Sequence, residues 1–217
     1  MLLRAEKLLI AILCLLSPAL LAQQDWEARA EANAQRLIAK NGTGTDLELK
    51  RELLTMRDED QTVRNRLNVA PEAEKPGVTK EMEAIDVRLT DHLKRIVAGK
   101  GWPTISLVGA EASQAAAVML VHSPDHEWQR RLLPHLNKLV QQSKIFGSDI
   151  AGLTDRILVS EGKQQEFGTQ FKQAEGKMVM IPVKDAKHLE QRRAQYLLPP
   201  MSVYRQVISE IYHLPAE

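Results

Sequence analysis

A histidine at the end of an apolar segment is the first feature of this sequence that could carry chemistry. His122 closes the run 112–121, which is rich in alanine and nearly free of charge. Imidazole gains and loses a proton near neutral pH, so a histidine placed there can act as an acid–base group or a ligand at the mouth of a cavity. The same position also suits a core histidine whose nitrogens bind the backbone. The sequence leaves both interpretations open.

The local motifs of metal and cofactor enzymes are absent, and we predict neither a metal nor a cofactor. His126 lies four residues after His122, a spacing that suits a metal on a continuous helix, but Pro124 interrupts that helix. The His-Glu-x-x-His pattern, the Gly-x-Ser-x-Gly elbow, the phosphate-binding loop and the dinucleotide fingerprint are all missing. The motifs therefore leave open whether the protein is an enzyme.

A charged pair interrupts the apolar stripe of a predicted helix near residue 60. The stripe skips one step, which Asp60 fills, and Arg64 lies four residues further on the same face. Because a buried carboxylate without a partner is costly, the two residues are predicted to form a buried ion pair or to serve something else. A helix that turns this face to solvent is the alternative. The apolar residues of the stripe are Leu49, Leu53, Met56, Val63 and Leu67.

Two further polar groups lie in the C-terminal half. Asp155 and Arg156 are adjacent, so on a helix they point about 100° apart and each is expected to serve a different partner. Gln164 and the run 167–170 bring hydrogen-bonding groups without charge, and Gly168 indicates a bulge or a close approach of the backbone. The alternative for Asp155 and Arg156 is an ordinary solvated charge pair. Gln164 and the run 167–170 could bind a polar ligand or only satisfy the hairpin itself.

The N-terminus has the pattern of a cleaved secretory signal. Arg4 and Lys7 precede an apolar run over 8–16, and the apolar stretch continues to the small residue Ala22. The apolar core has about 15 residues, whereas a membrane-spanning helix needs about 20, so a permanent anchor is disfavoured. Cys14 lies behind the bulky Leu13, which disfavours a lipoprotein. We therefore predict a signal peptide over residues 1–22 and an exported protein, periplasmic or extracellular, with no membrane contact after cleavage.

Removal of residues 1–22 changes both the charge and the available chemistry. The whole chain has 29 Lys and Arg and 28 Asp and Glu, and the predicted signal carries Arg4, Lys7 and Glu6, so the mature protein is neutral. A neutral chain has no basic excess for nucleic acid. The single cysteine, Cys14, leaves with the signal, which excludes disulfides and thiol chemistry. Partners are expected to be a small polar ligand or an envelope protein.

The elements that must position these residues are mostly helical. We predict a mainly α (α+β) protein with an N-terminal helical extension at 23–44 and a single globular domain at 45–217, which holds one small antiparallel β-hairpin or sheet in its C-terminal half. The signals for these elements are a stop at Asn41-Gly42, a cap at Thr45 or Asp46, a loop over 69–79, a stop at Gly99, a helix start at Ser123-Pro124, a kink at Pro134, and short strands between Leu158 and Val183.

In order along the chain, several short motifs resemble a family of bacterial proteins known as domain of unknown function 6624. The similarity runs from about Leu49 to Tyr204, and the ordered set is more specific than any one motif. The resemblance implies kinship but no reaction. The motifs are Gly101-Trp102-Pro103-Thr104, Leu107-Val108-Gly109, His122, Leu153-Thr154-Asp155-Arg156, Gln164 and Phe167-Gly168-Thr169-Gln170.

The chain departs from the family pattern at three positions. Val121 stands where the family usually has glutamine, Leu89 where it often has asparagine, and Phe167 where it commonly has tyrosine. Each difference removes a polar group. If the family site is catalytic, these differences imply a reduced or altered site in this protein.

Two hypotheses from different classes follow. In the first, His122 and Asp155 are catalytic residues of a polar pocket, and Arg156 holds an anionic group of the ligand. In the second, the same residues form a buried polar network that fixes the packing of a structural or protein-interaction domain of the cell envelope. The ligand-binding residues of the first hypothesis are Trp102, Arg156, Gln164, Thr169 and Gln170.

Overall fold

The computed structural model describes residues 18–217, with the surroundings of side chains from residue 25 onward. Within this range the chain forms helices α1 to α9 and one antiparallel pair of strands, which confirms the predicted mainly α fold with a small hairpin. Residues 1–17 of the predicted signal lie outside the described residues. The helices are Pro18–Asn41 (α1), Leu47–Val69 (α2), Lys75–Lys100 (α3), Ile105–Val108 (α4), Ala110–His122 (α5), His126–Gln141 (α6), Ser148–Ser160 (α7), Leu189–Gln195 (α8) and Met201–Tyr212 (α9).

Helices α2, α3 and α5 pack against one another and form the centre of the core. Apolar residues on α2 and α3 recur every three or four positions, so each helix presents one stripe to its neighbours. Most buried residues of the first half of α5 are alanine or serine, which lets its backbone come close to the other two helices. The buried apolar residues are Leu49, Leu53, Met56 and Val63 on α2, Val78, Leu89, Leu93 and Ile96 on α3, and Ala112, Ala115, Ala116, Ala117, Met119 and Leu120 on α5.

The start of α2 is fixed by a cap and by a close backbone contact. Asp46 is the N-cap and accepts a hydrogen bond from the Leu49 amide at 3.0 Å, as predicted. Gly44 has φ 95°, and a Cβ there would lie 2.5 Å from the backbone nitrogen of Gly109. Only glycine fits this approach, which holds the segment before α2 against the end of α4.

The β-hairpin pairs Phe171–Ala174 (β1) with Lys177–Met180 (β2) in antiparallel register, Phe171 opposite Met180. Glu175 and Gly176 form its two-residue turn with φ 51° and 74°, the left-handed values that match the twist of a tight hairpin. The chain end lies against β2, where the amide of Met178 donates to the Pro215 carbonyl at 2.8 Å.

The extent of the predicted strands was wrong. Leu158 and Val159, predicted as strand, lie in α7, whose apolar residues Ile150, Leu153 and Ile157 are buried. The helical stripe therefore outweighs the strand propensity of the β-branched Val159 and its aliphatic neighbour Leu158. The predicted strand over 165–171 is mostly a loop, in which side chains replace the ladder hydrogen bonds described below.

Three helix boundaries also differ from the prediction. Helix α6 starts after Asp125, whose carboxylate caps the Trp128 amide at 2.8 Å, and not at the Ser123-Pro124 pair. The loop predicted over 69–79 is shorter, because α3 already begins at Lys75 and takes Pro76 into its first turn. Helix α3 passes through Gly99 and ends at Lys100. Within residues 18–217, no helix is long and apolar enough to cross a membrane.

Candidate functional site

His122 and Asp60 form a hydrogen-bonded pair where α5 meets α2. His122 is the last residue of α5, and Asp60 lies among the buried residues of α2. Nδ1 of His122 is 2.8 Å from Oδ1 of Asp60. The side chain of Asp60 is 1% exposed, whereas that of His122 is 27% exposed. A buried carboxylate therefore holds an imidazole ring that still reaches solvent.

Arg64 connects this pair to a second carboxylate, Asp86 of α3. Nε of Arg64 is 3.2 Å from Oδ1 of Asp60, and its Nη2 is 2.6 Å from Oδ1 of Asp86. Gln61 donates from Nε2 to the other oxygen of Asp60 at 2.7 Å. The Nη1 atom of Arg64 lies 3.1 Å from the sulfur of Met82. One guanidinium thus joins the carboxylates of two helices.

The two carboxylates differ in how firmly they keep their charge. Burial favours a raised pKa for Asp60, but the hydrogen bond and charge of His122, together with the charge of Arg64, outweigh it and lower that pKa. At Asp86 burial prevails over the attraction of Arg64, so its pKa is raised. Neighbouring groups whose pKa values are pushed apart in this way are typical of acid–base sites.

The contacts of Nδ1 assign the tautomer of His122. Nδ1 lies within hydrogen-bond distance of both Oδ1 of Asp60 and Nε of Arg64, at 2.8 and 3.0 Å. Because a carboxylate can only accept, we assign the proton on Nδ1 to the bond with Asp60, and Arg64 donates to the same carboxylate. In the neutral ring Nε2 then carries the free lone pair. It makes no hydrogen bond to a residue between 25 and 217.

The end of α5 is held by two polar side chains from other helices. Gln129 of α6 is fully buried and donates from Nε2 to two carbonyl oxygens at this end, at 2.7 and 3.0 Å. Arg156 of α7 donates from Nη2 to a third carbonyl at 2.9 Å. The last carbonyls of a helix have no partner within it, and here, among the described residues, only that of Leu120 has a backbone donor, the Ser123 amide at 3.2 Å, so the two side chains supply the remaining bonds. His122 is the residue that this end carries.

Asp155 lies outside this cluster and holds the loop that precedes β1. It is fully buried. Its Oδ1 accepts from the amides of Glu166 and Phe167 at 2.7 and 3.0 Å. Its Oδ2 accepts from the amide and the hydroxyl of Thr169, both at 2.9 Å. Because four donors occupy its oxygens, Asp155 is built to fix a loop.

Gln165 and Arg193, both buried, hold the same loop from other sides. Oε1 of Gln165 accepts from the amide of Gln170 at 2.8 Å, and its Nε2 donates to the carbonyl of that residue at 3.0 Å. Arg193 of α8 donates to the carbonyl of Phe167 and lies 4.8 Å from the ring centre of Tyr204. In this loop, hydrogen bonds from side-chain amide and guanidinium groups thus replace the backbone hydrogen bonds of a strand.

The structure separates the residues predicted for one pocket into two clusters. His122 and the Asp60–Arg64 ion pair belong to the first, and Arg156 supports it from α7. The second cluster is the loop of Asp155. Its other predicted members are Thr169 and Gln170, and the side-chain amide of Gln170 donates to the Thr169 hydroxyl at 3.1 Å.

Two predicted ligand-binding residues lie in neither cluster. Trp102 is buried in the hydrophobic core, and its Nε1 has no hydrogen-bond partner among the described residues. Gln164 is exposed, and the buried amide of this segment is that of the next residue, Gln165. The two glutamines cannot be told apart by type, and a loop offers no periodicity that would show which one faces inward.

Sequence reasoning missed Asp86 and Gln129 as members of the first cluster. A signal for Asp86 was present, because it lies on the stripe of α3 that continues through Leu89 and Leu93, as Asp60 lies on the stripe of α2. Gln129 gave no such signal. An uncharged residue beside Trp128 is ordinary, and its role depends on where α6 crosses the end of α5.

Comparisons with known proteins give a family and no activity. A family model described as a family of unknown function, DUF6624, matches residues 47–217. No curated protein and no solved structure matches the chain. From residue 18 to residue 217, no group of three or more His, Cys, Asp or Glu is placed to hold a metal ion.

Proposed function

Because the chain belongs to DUF6624, a family of unknown function, we propose its role from its own site: it binds a small polar ligand and uses His122 as an acid–base group. The observation that carries this proposal is the 2.8 Å contact between Nδ1 of His122 and the buried carboxylate of Asp60. A carboxylate on one ring nitrogen fixes the tautomer and leaves the other nitrogen ready to take a proton.

The proposed step is a proton transfer at Nε2 of His122. A hydroxyl of the ligand, or a water beside it, gives its proton to the lone pair of Nε2. The ring then carries a positive charge that the ionised carboxylate of Asp60 stabilises through Nδ1. Returning the proton to a leaving group or product completes the cycle, so His122 serves first as base and then as acid.

The charges around the ring support this role. Asp60 and Asp86 bring two carboxylates, and Arg64 brings one cation bound to both. When His122 takes up a proton, the cluster holds two cations and two carboxylates. The added charge would lie 2.8 Å from the buried carboxylate of Asp60, and Arg64 would remain paired with Asp86.

Diethyl pyrocarbonate tests the proposal without knowledge of the ligand, because it acylates unprotonated imidazole nitrogens that it can reach. Peptide mass spectrometry then gives a rate for each histidine. We expect His122 to react, and Asp60→Asn to lower its rate about tenfold. An amide at position 60 can donate to Nδ1, which moves the ring proton to Nε2 and blocks that atom. His135, exposed on α6, is the internal reference.

Asp58→Asn is the matched control for this experiment. Asp58 lies on the same helix, is exposed and pairs with Arg57 at 2.9 Å. Its substitution should leave the His122 rate unchanged. An equal His122 rate in wild type and Asp60→Asn would contradict the proposed role of the pair.

In a thermal-shift screen of hydroxy acids and cell-wall fragments, a compound that stabilises the wild type should lose its effect on His122→Ala.

A structural or protein-interaction domain of the cell envelope is the second candidate function. It is favoured by the loop cluster, where Asp155 and its donors satisfy one another. On this reading the His122 cluster is of the same kind, and His122→Ala and Arg156→Ala each lower the free energy of unfolding by about 1–3 kcal/mol with no ligand effect. Equal unfolding curves for wild type and both variants would count against it.

Export is proposed from the N-terminal segment. Residues 1–22 have the charge, apolar core and small final residue of a cleaved signal, which favours a periplasmic or extracellular protein. Cell fractionation and N-terminal sequencing test this directly. We expect the protein outside the cytoplasm with Gln23 as its first residue, and a cytoplasmic protein that retains Met1 would exclude export.

A further inference from the structure

We infer that Arg156 and Gln129 are positioning residues for His122, because they fix the last turn of α5 and so keep the imidazole against Asp60. The inference rests on the proposed acid–base role of His122 and extends the site by two residues. Neither side chain makes a hydrogen bond to the ring, so both act through the main chain of α5.

Gln129 is fully buried and holds two separate points at the end of α5. Its Nε2 donates to the carbonyls of Leu120 at 2.7 Å and of Ser123 at 3.0 Å. These two residues flank the turn that carries His122. Its Oε1 lies 3.1 Å from Nδ1 of His126, so the amide is bound at both ends. Without Gln129 the Ser123 carbonyl would carry the cost of desolvation, and the Leu120 carbonyl would keep only the Ser123 amide at 3.2 Å as its donor.

Arg156 brings a cation to the same turn. Its Nη2 donates to the carbonyl of Val121 at 2.9 Å and lies 3.2 Å from Oε1 of Gln129. Burial lowers the pKa of this guanidinium, which means that placing the charge here costs free energy. No carboxylate among the described residues forms an ion pair with it. The partial negative charge at the C-terminus of α5 is what compensates the cation.

The pair of His122 and Asp60 depends on this turn staying in place. The two residues come from different helices, and His122 is the last residue of its helix, where helices fray. Val121, whose carbonyl Arg156 binds, directly precedes His122. A shift of this turn by about 1 Å would take Nδ1 beyond hydrogen-bond distance of Asp60. The hydrogen bonds of Arg156 and Gln129 to the end of α5 are therefore required to keep the His122 proton on Nδ1.

The experiment compares Arg156→Met and Gln129→Leu with the wild type in two measurements. One is the rate at which diethyl pyrocarbonate modifies His122, and the other is the pair of ¹⁵N chemical shifts of its ring. In both variants we expect the His122 rate to fall by about fivefold or more and the shifts to move toward a mixture of tautomers. The rate of His135 should not change.

Arg130→Met and Arg156→Lys complete the design. Arg130 lies on α6 next to Gln129 and pairs with Glu161 at 2.9 Å on the surface, so its loss should leave both measurements of His122 unchanged. A lysine in place of Arg156 keeps the cation but not the planar fork, so it should recover part of the rate that Arg156→Met loses. If the methionine and leucine variants do not fold, the lysine variant alone must show a reduced rate and moved shifts.

Each outcome has one meaning for this inference. Lower melting temperatures with an unchanged rate and unchanged shifts of His122 would overturn it, because Arg156 and Gln129 would then be structural caps only. A failure of Asp60→Asn to alter His122 would instead overturn the proposed function. The two results come from different variants and are therefore distinguishable.

Discussion

At the scale of single residues, Asp155 and Arg156 are neighbours in the chain that act on different parts of the molecule. Asp155 binds the loop at 166–169, and Arg156 binds the end of α5. Neighbouring positions on a helix point about 100° apart, so the sequence predicts that the two residues bind different partners. It does not predict which partners they bind, because those come from segments that only the fold brings together.

The anchoring role of Asp155 predicts the effect of Asp155→Asn. Asparagine keeps one side-chain oxygen as an acceptor but replaces the other with an NH2 group. That group would face backbone amides or the Thr169 hydroxyl, which now donate hydrogen bonds to Asp155. We expect a loss of about 3 kcal/mol in the free energy of unfolding. Hydrogen exchange should speed up at the amides of Glu166, Phe167 and Thr169.

The exposed Asp91 provides the control for this variant. Asp91 lies on α3 and is 60% exposed. Asp91→Asn should change the free energy of unfolding by no more than a few tenths of a kcal/mol and leave the exchange of the loop amides unchanged. An Asp155→Asn protein as stable as the wild type, with the loop amides still protected, would show that the loop holds its shape without the carboxylate.

The candidate site illustrates how far single residues can be read from sequence. Asp60 stood out because it occupies an apolar step of α2, and Arg64 because it lies one turn further. The partner that matters most to Asp60 is His122, which lies 62 residues away in the chain. Only the packing of α5 on α2 brings these two together, and no local pattern records that packing.

At the scale of elements, α2 owes its position to a contact between two glycines. Gly44 and Gly109 have φ values of 95° and 81°, and each would drive a Cβ into the other segment's backbone. The contact sets the N-terminal end of α2, the helix that carries Asp60. The amide of Thr45 donates to the Leu107 carbonyl at 2.9 Å and fastens the same junction.

Gly44→Ala should therefore be far more disruptive than Gly42→Ala. Both positions have positive φ, which costs an alanine about 1 kcal/mol, but a Cβ at position 42 meets no atom within 4 Å. At position 44 the new carbon must displace backbone, so we expect a total loss of about 3 kcal/mol or more. Chemical denaturation of both variants measures the difference, and equal losses would show that the junction yields without cost.

Helices were easier to predict than strands for a physical reason. A stripe that repeats every three or four residues over several turns, with a cap such as Asp46, is a signal spread over many positions. The hairpin strands have four residues each, and the segment before them is shaped by Asp155, Gln165 and Arg193. These bonds join residues at irregular separations, 5 for Gln165 with Gln170 and 26 for Arg193 with Phe167, and leave no periodic trace.

At the scale of the whole molecule, the family region and the N-terminal helix are separate parts of the chain. The family match begins at residue 47, after α1 has ended at Asn41. The side-chain amide of Asn41 still donates to the Ser143 carbonyl at 2.8 Å, so α1 is tied to the family region where it ends. The proposed boundary between residues 44 and 45 lies between α1 and α2, and residues 18–22 of α1 fall within the predicted signal.

The stability of the whole molecule should depend on the charge of Asp149. Burial raises its pKa to about 6, although Ser148 and Gln114 offer hydrogen bonds to it. Its unfolded value is near 3.8, so the contribution of this group to stability is fully present below that pH and is lost as the pH rises through about 6. Two pKa units correspond to about 3 kcal/mol at most.

Asp149→Asn removes this dependence, because the amide has no charge to bury. At about pH 8 the variant should unfold with a free energy roughly 2–3 kcal/mol higher than the wild type, and at about pH 4 the two should be nearly equal. Urea denaturation of both proteins across this range provides the measurement. A constant difference at all pH values would mean that the carboxylate keeps its ordinary affinity for protons.

Because Asp155 and Arg156 are adjacent and bind two different segments, they also limit where residues can be inserted into or deleted from this chain. One residue inserted in α7 ahead of Asp155 would rotate both side chains by about 100° relative to the buried face of Ile150 and Leu153. The loop would lose its carboxylate and α5 its cap in a single event. Insertions and deletions in descendants of this sequence should therefore accumulate in the short loop at 70–74 and leave the residue count of α7 untouched.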